Sequence, residues 1–94
     1  MLIEPLSADE AKRIIMVALS TGTVNFTSHA LKELAKDKKT TVDATNVLRG
    51  GVVQPGELEN GSWRYRVMTT RMTVVVAFLS ESAVVVVTAW KVRS

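Results

Sequence analysis

The chain holds one histidine, His29, directly after Thr27-Ser28, where a hydroxyl side chain can cap the start of a helix. Helical spacing puts it on a polar face with Lys32, Glu33 and Lys36, opposite Ala30, Leu31, Leu34 and Ala35. Imidazole ordinarily titrates near neutrality, so a histidine on that face can give or take a proton at cellular pH, although most surface histidines do no chemistry. Arg64 and Arg66 stand two apart in Trp63-Arg64-Tyr65-Arg66-Val67, and on a strand that spacing aims both at one face. Two forked guanidinium groups side by side suit a phosphate; the ordinary alternative is a solvated strand face. Tyr65 then points the other way. Thr88 and Trp90 come near the end of the last apolar run, in phase with Val84 and Val86. Threonine there is commonly a strand former and tryptophan commonly core or interface.

Other chemistries are missing at the level of residue types. The absence of cysteine excludes disulfides, thiolate metal sites and cysteine nucleophiles, and suits a reducing compartment. Gly50-Gly51 lacks the spacing of a phosphate-binding loop and reads as a helix stop, and no cluster has metal-ligand spacing. No metal and no nucleotide cofactor is therefore expected.

The elements that would position these residues follow from periodicity. Ser7-Ala8-Asp9-Glu10 is a capping box, followed by Ala11, Ile14, Ile15, Ala18 and Leu19 at helical spacing, with an end expected near Gly22. A short second helix carries His29. Thr40-Thr41-Val42-Asp43 offers a cap to a third, with Ala44, Val47 and Leu48 inward and Gly50-Gly51 as its stop. The period then changes. Val52-Val53 opens an extended segment that Pro55 confines to a sheet edge, and Asn60-Gly61 is a strong two-residue hairpin signal. Trp63 to Met68, Met72 to Leu79 and Ala83 to Val92 read as strands, with turns at Thr69-Thr70-Arg71 and Ser80-Glu81-Ser82. The expectation is one α+β domain over residues 1–94, with two to three helices over about 7–50 packed on a four-stranded, mainly antiparallel sheet over about 51–93.

An apolar fraction of 47% against 22% charged residues is that of a folded chain. Residues 1 to 60 hold seven Lys/Arg and eight Asp/Glu, whereas residues 61 to 94 hold Arg64, Arg66, Arg71, Lys91 and Arg93 against Glu81 alone. The net charge of +3 thus resides on the expected sheet, where it attracts polyanions or an acidic protein. No stretch has the length of a signal peptide or a membrane helix, and a cytoplasmic location is expected. Val74-Val75-Val76-Ala77 and Ala83-Val84-Val85-Val86-Val87 are apolar on both parities, so a second layer is expected over the far face of the sheet: a second copy of the chain, a protein inhibitor or the chain's own termini.

The order Phe26-Thr27-Ser28-His29-Ala30-Leu31-Lys32-Glu33-Leu34, then Leu48-Arg49-Gly50-Gly51, then Arg64-Tyr65-Arg66-Val67, then a closing Val85-Val86-Val87-Thr88-Ala89-Trp90 resembles the bacterial domain of unknown function 4258. That family in turn resembles the MqsR and RelE toxins of the barnase, EndoU, colicin and RelE ribonuclease superfamily. The resemblance spans about Gly22 to Trp90 and rests on order and pattern. It implies a metal-independent endoribonuclease, often the toxin of a toxin and antitoxin pair, that cuts RNA by attack of a 2′-hydroxyl on the adjacent phosphate. Carried over by position, the catalytic set is His29, Arg64 or Arg66, and Thr88. His29 would be general acid or base, the arginines would stabilise phosphate charge, and Thr88 would orient the phosphate or the attacking hydroxyl. Lys32, Arg71 and Lys91 would hold the RNA backbone, and Trp90 or Tyr65 would stack on a splayed base, with core packing as the alternative for both. RNA, with mRNA on the ribosome as one form it could take, and a protein antitoxin are the partners implied; a homodimer is compatible. The chain departs from the family's pattern at Glu33 and Asp37, where arginines are common; Lys32 and Lys36 are the available replacements.

Two other readings fit the same residues. One is a non-catalytic protein-interaction module of the same fold, for which the two-sided apolar sheet is the function. The other is a domain that binds RNA or the ribosome without cleavage.

Overall fold

The computed structural model describes residues 2–93. Helix α1 (Ala8–Ser20) starts where Ser7 Oγ accepts from the Glu10 N–H at 3.1 Å, and it buries Ala11, Ile14, Ile15 and Ala18. Helix α2 (Ser28–Lys36) is capped by Thr27, and α3 (Thr41–Gly50) by Thr40 in a reciprocal box with Asp43. The expected α+β class and the three helices are found. The C-terminal end of α3 is closed by a distant side chain. Lys12 Nζ donates to the carbonyls of Leu48, Arg49 and Gly51 at 3.0, 2.8 and 2.9 Å, satisfying acceptors that the helix itself leaves open.

The sheet is larger than expected and is not confined to the second half. Six strands occur among the described residues: β1 (Thr23–Phe26), β2 (Val52–Val53), β3 (Glu57–Glu59), β4 (Ser62–Met68), β5 (Met72–Ser80) and β6 (Ala83–Lys91). Their order is β1-β6-β5-β4-β2, with β3 also paired to β4. Strand β1 lies between α1 and α2 and pairs parallel to β6, Thr23 opposite Ala83 and Phe26 opposite Val86. Four residues without turn signals of their own carry little period, so only the neighbouring strand makes this segment extended. Gly22 permits the approach, because a side chain there would collide with the Ser82 carbonyl. Strands β2 and β3 occupy the same edge of β4, and Pro55 falls in the gap between them, where no ladder donor is needed. Asn60 and Gly61 turn the β3–β4 hairpin with φ of 49° and 79°, the left-handed pair that a two-residue turn requires.

Helices α1 and α3 bury their apolar stripes with Tyr65, Val67, Val74, Val76, Val84, Val86 and Ala89 in one cluster. Thr73 and Val75 are also buried, at 1% and 6% exposure, but lie outside that cluster because their side chains point to the opposite face. The valines on both parities therefore have two destinations. One set is core, and the other floors the face described next. No described helix is long and apolar enough to cross a membrane.

Candidate functional site

The second face of the sheet carries a cavity of about 360 Å³ lined by His29, Glu57, Glu59, Arg64, Arg66, Val75, Val87, Thr88 and Trp90. The four residues expected to be catalytic and one of the expected base platforms thus line a single cavity, although they come from α2, β4 and β6. The geometry depends on an irregularity in β6. Val75 of β5 pairs with Thr88, and Val76 with Val86, so Val87 has no opposite number. This bulge shifts the phase of the strand: Val84, Val86 and Ala89 face the core, while Thr88 and Trp90 face the cavity. The expectation that Thr88 and Trp90 share the face of Val84 and Val86 is corrected. Arg66, Val75 and Thr88 now lie abreast on three adjacent strands.

The same bulge seats the histidine. Thr27 donates its N–H to the Val86 carbonyl at 3.0 Å and its hydroxyl to the Val87 carbonyl at 2.8 Å, while Oγ1 accepts from the Ala30 N–H at 3.0 Å. One residue therefore caps α2, ties it to the bulged strand and sets where its first turn lies, two positions before His29. The other end of α2 is held by Asp37. Its carboxylate accepts from the Lys91 N–H at 2.8 Å and from the Arg93 guanidinium at 3.4 Å. Asp37, which departs from the resembled family's pattern, thereby clamps the helix to β6. Ala30 and Leu34 are buried beneath it; Leu31 and Ala35 are exposed rather than inward.

Two carboxylates complete the cavity, and neither was among the candidates. Glu57 stands opposite Arg64 in the β3–β4 ladder and pairs with Arg66 at 3.2 Å; Glu59 stands opposite Ser62. The signal was available, since counting back from the Asn60-Gly61 turn pairs Glu57 with Arg64. The excess of positive charge expected on this face is therefore largely offset locally. Arg64 makes one hydrogen bond among the described residues, from Nε to Ser62 Oγ at 3.3 Å, which leaves its two terminal nitrogens for a ligand. The Arg66 guanidinium carbon lies 6.0 Å from the Trp90 ring centroid, at the outer limit of a cation–π contact. Among the described residues no three His, Asp or Glu side chains gather as for a metal ion.

The remaining candidates disperse. Tyr65 is fully buried: its hydroxyl donates to Glu4 Oε2 at 2.8 Å and accepts from the Leu6 N–H at 2.9 Å, and its ring meets Phe78 edge-on at 5.0 Å. It cannot stack on a base, because strand alternation turns it into the core. Burial, with the Glu4 carboxylate adding to it and the Leu6 N–H opposing it, pushes its phenol up to about 12. Arg71 lies in the β4–β5 turn beside Lys39, Asp43 and Asn46, away from the cavity. Lys32 is exposed on α2 outside the lining. Lys91 lines a neighbouring groove with Lys36, Arg66 and Trp90. Comparison with protein-family models, curated proteins and solved structures gives no match.

Proposed function

We propose that this protein is a metal-independent endoribonuclease acting in the cytoplasm as the toxin of a toxin and antitoxin pair, of the kind that the sequence resembles. The observation that supports the reading is the gathering of His29, Glu57, Arg64, Arg66 and Thr88 around one cavity, drawn there from four elements. Cleavage of RNA without a metal needs a base, a proton donor and positive charge beside the phosphorus. Glu57 takes the proton of the ribose 2′-hydroxyl as its oxygen attacks phosphorus. His29, as imidazolium, delivers a proton to the departing 5′-oxygen as the P–O5′ bond breaks. Arg64 and Arg66 hold the charge that builds on the non-bridging oxygens, and Thr88 orients one of them. The products are a 2′,3′-cyclic phosphate and a free 5′-hydroxyl. In the unliganded protein Glu57 neutralises Arg66; an incoming phosphate competes for that guanidinium and releases the carboxylate to act as base.

The test is growth after induction of the wild type beside His29→Ala and Arg64→Ala/Arg66→Ala at matched soluble levels, with total RNA examined. Arrest and RNA cleavage with the wild type alone supports this reading. Arrest that survives both changes rejects the assigned residues, and no arrest with intact RNA in all three favours a non-catalytic interaction module.

A further inference from the structure

The two edges of the sheet are built differently. At the β2 and β3 edge Pro55 interrupts the ladder and Glu57 and Glu59 add charge, devices that keep an edge from pairing with another chain. Strand β1, at the opposite edge, has neither: residues 14–28 contain no Asp, Glu, Lys, Arg or Pro, in a chain of which 22% is charged. Only half of its backbone is used. In the parallel ladder Thr23 donates its N–H to the Ser82 carbonyl and Thr27 to the Val86 carbonyl, each at 3.0 Å, so alternation turns the N–H and C=O of Val24 and Phe26 away from β6. Those four groups have no partner among the described residues. The Val24 and Phe26 side chains pack against the core yet stay partly exposed, and Asn25 is exposed on the opposite face.

We propose that two copies of the chain pair through β1, antiparallel and edge to edge, about a two-fold axis at Asn25. In that register Val24 of each copy stands opposite Phe26 of the other, and their outward groups close four hydrogen bonds between the strands. Each pair sets a β-branched side chain against an aromatic one, a favourable cross-strand match. The neighbouring registers lose bonds. One brings Phe26 opposite Gly22, whose N–H is already given to the Val17 carbonyl; the other brings Val24 opposite Ser28, which opens α2. Charge identifies the occupant as a second copy. Across a two-fold axis like meets like, so a charge on β1 would face its own sign, and the uncharged stretch removes that repulsion. An acidic partner would instead be drawn by cations that β1 lacks. Asn25 meets itself at the close spacing of a non-hydrogen-bonded pair, and its amide both donates and accepts. So short a junction gives a weak dimer, with a Kd of roughly 10 µM to 1 mM. The two sheets become one, with both cores on one face and both His29 cavities on the other, whatever chemistry those cavities perform.

The experiment is sedimentation equilibrium of the full chain across that concentration range, for the wild type, Asn25→Lys, Asn25→Glu and an equimolar mixture of the two variants. Asn25 is exposed in the single copy, so both variants keep the fold, which circular dichroism checks. The wild-type mass should rise with concentration toward twice that of one chain. Each variant alone should associate at least tenfold more weakly. The mixture should recover the wild-type affinity or exceed it, because opposite charges then meet on the axis. Amide exchange at Val24 and Phe26 should slow with concentration in the wild type and not in Asn25→Lys. A wild type that stays monomeric, a dimer that survives in both single variants, or a mixture no stronger than its components overturns the proposal.

Discussion

At the scale of single residues, the polar side chains fall into two groups. Thr27, Asp37, Lys12 and Tyr65 satisfy backbone groups across long stretches of chain, whereas His29, Arg64 and Thr88 are left facing a cavity. The first group explains stability, and the tyrosine gives the clearest test. Tyr65→Phe leaves the Leu6 N–H buried without its acceptor and is expected to lower stability by about 1–3 kcal/mol, read by urea unfolding. The raised phenol adds a pH signature. The folded state favours the protonated form while the unfolded chain ionises from the ordinary value of 10, so this stabilisation is complete below pH 10 and is lost as pH rises to about 12. Wild-type stability should fall across that window, and Tyr65→Phe should flatten the fall. Lys12→Met should cost about 1–2 kcal/mol by releasing three carbonyls at the end of α3, with RNA cleavage unchanged at a temperature where both proteins are folded.

Among the elements, β6 decides the site. Its bulge at Val87 turns Thr88 and Trp90 outward and offers the two carbonyls that Thr27 grips. Deleting Val87 restores regular alternation with Val86 still opposite Val76 and Thr88 still opposite Val75, so Thr88 and Trp90 keep facing the cavity, while the Val87 carbonyl that Thr27 grips is lost. Cleavage should fall because α2, and His29 with it, loses that anchor, with stability lowered as well. Thr27→Val is the gentler probe. It removes the cap and the Val87 bond while keeping shape, so the expected loss is about 1–2 kcal/mol of stability together with a fall in cleavage from the misplaced His29. Full activity in Thr27→Val would mean that the Asp37 clamp, with Ala30 and Leu34, seats α2 without the Thr27 hydroxyl.

The bulge also marks where the sequence stops being informative. In Val84-Val85-Val86-Val87 every residue suits either face, so a one-residue slip leaves no trace in composition, and no glycine marks it. Strand β1 was hidden for a related reason: Thr23-Val24-Asn25-Phe26 is extended only because β6 lies beside it. Helix caps and the Asn60-Gly61 turn, by contrast, are local and were readable. The convergence of His29 with Arg64 and Arg66 was not readable from spacing, since it depends on how α2 is bound to β6.

At the scale of the whole molecule, the two faces of one sheet are put to different uses. Helices α1 and α3 close one face into the core, while α2 and β3 flank the other and leave it open as two adjoining compartments. With Glu57 and Glu59 offsetting Arg64 and Arg66, the net charge of +3 does not make this a strongly electropositive protein. Binding to single-stranded RNA should therefore depend only modestly on salt. Two to three phosphate contacts, at about 0.7 each, give a log–log slope near −1.5 to −2. A much steeper slope would mean that Lys32, Arg71 or other surface cations contribute after all.

The most direct measurement is cleavage by the purified wild type of a short RNA in the presence of a chelator, beside the same RNA with one 2′-deoxy position at the cut. The wild type should leave a 2′,3′-cyclic phosphate and a 5′-hydroxyl, fail at the deoxy position, and lose about 10²–10⁴-fold in rate with either His29→Ala or Glu57→Gln. Cleavage that persists at the deoxy position, or that both variants retain in full, would contradict the account.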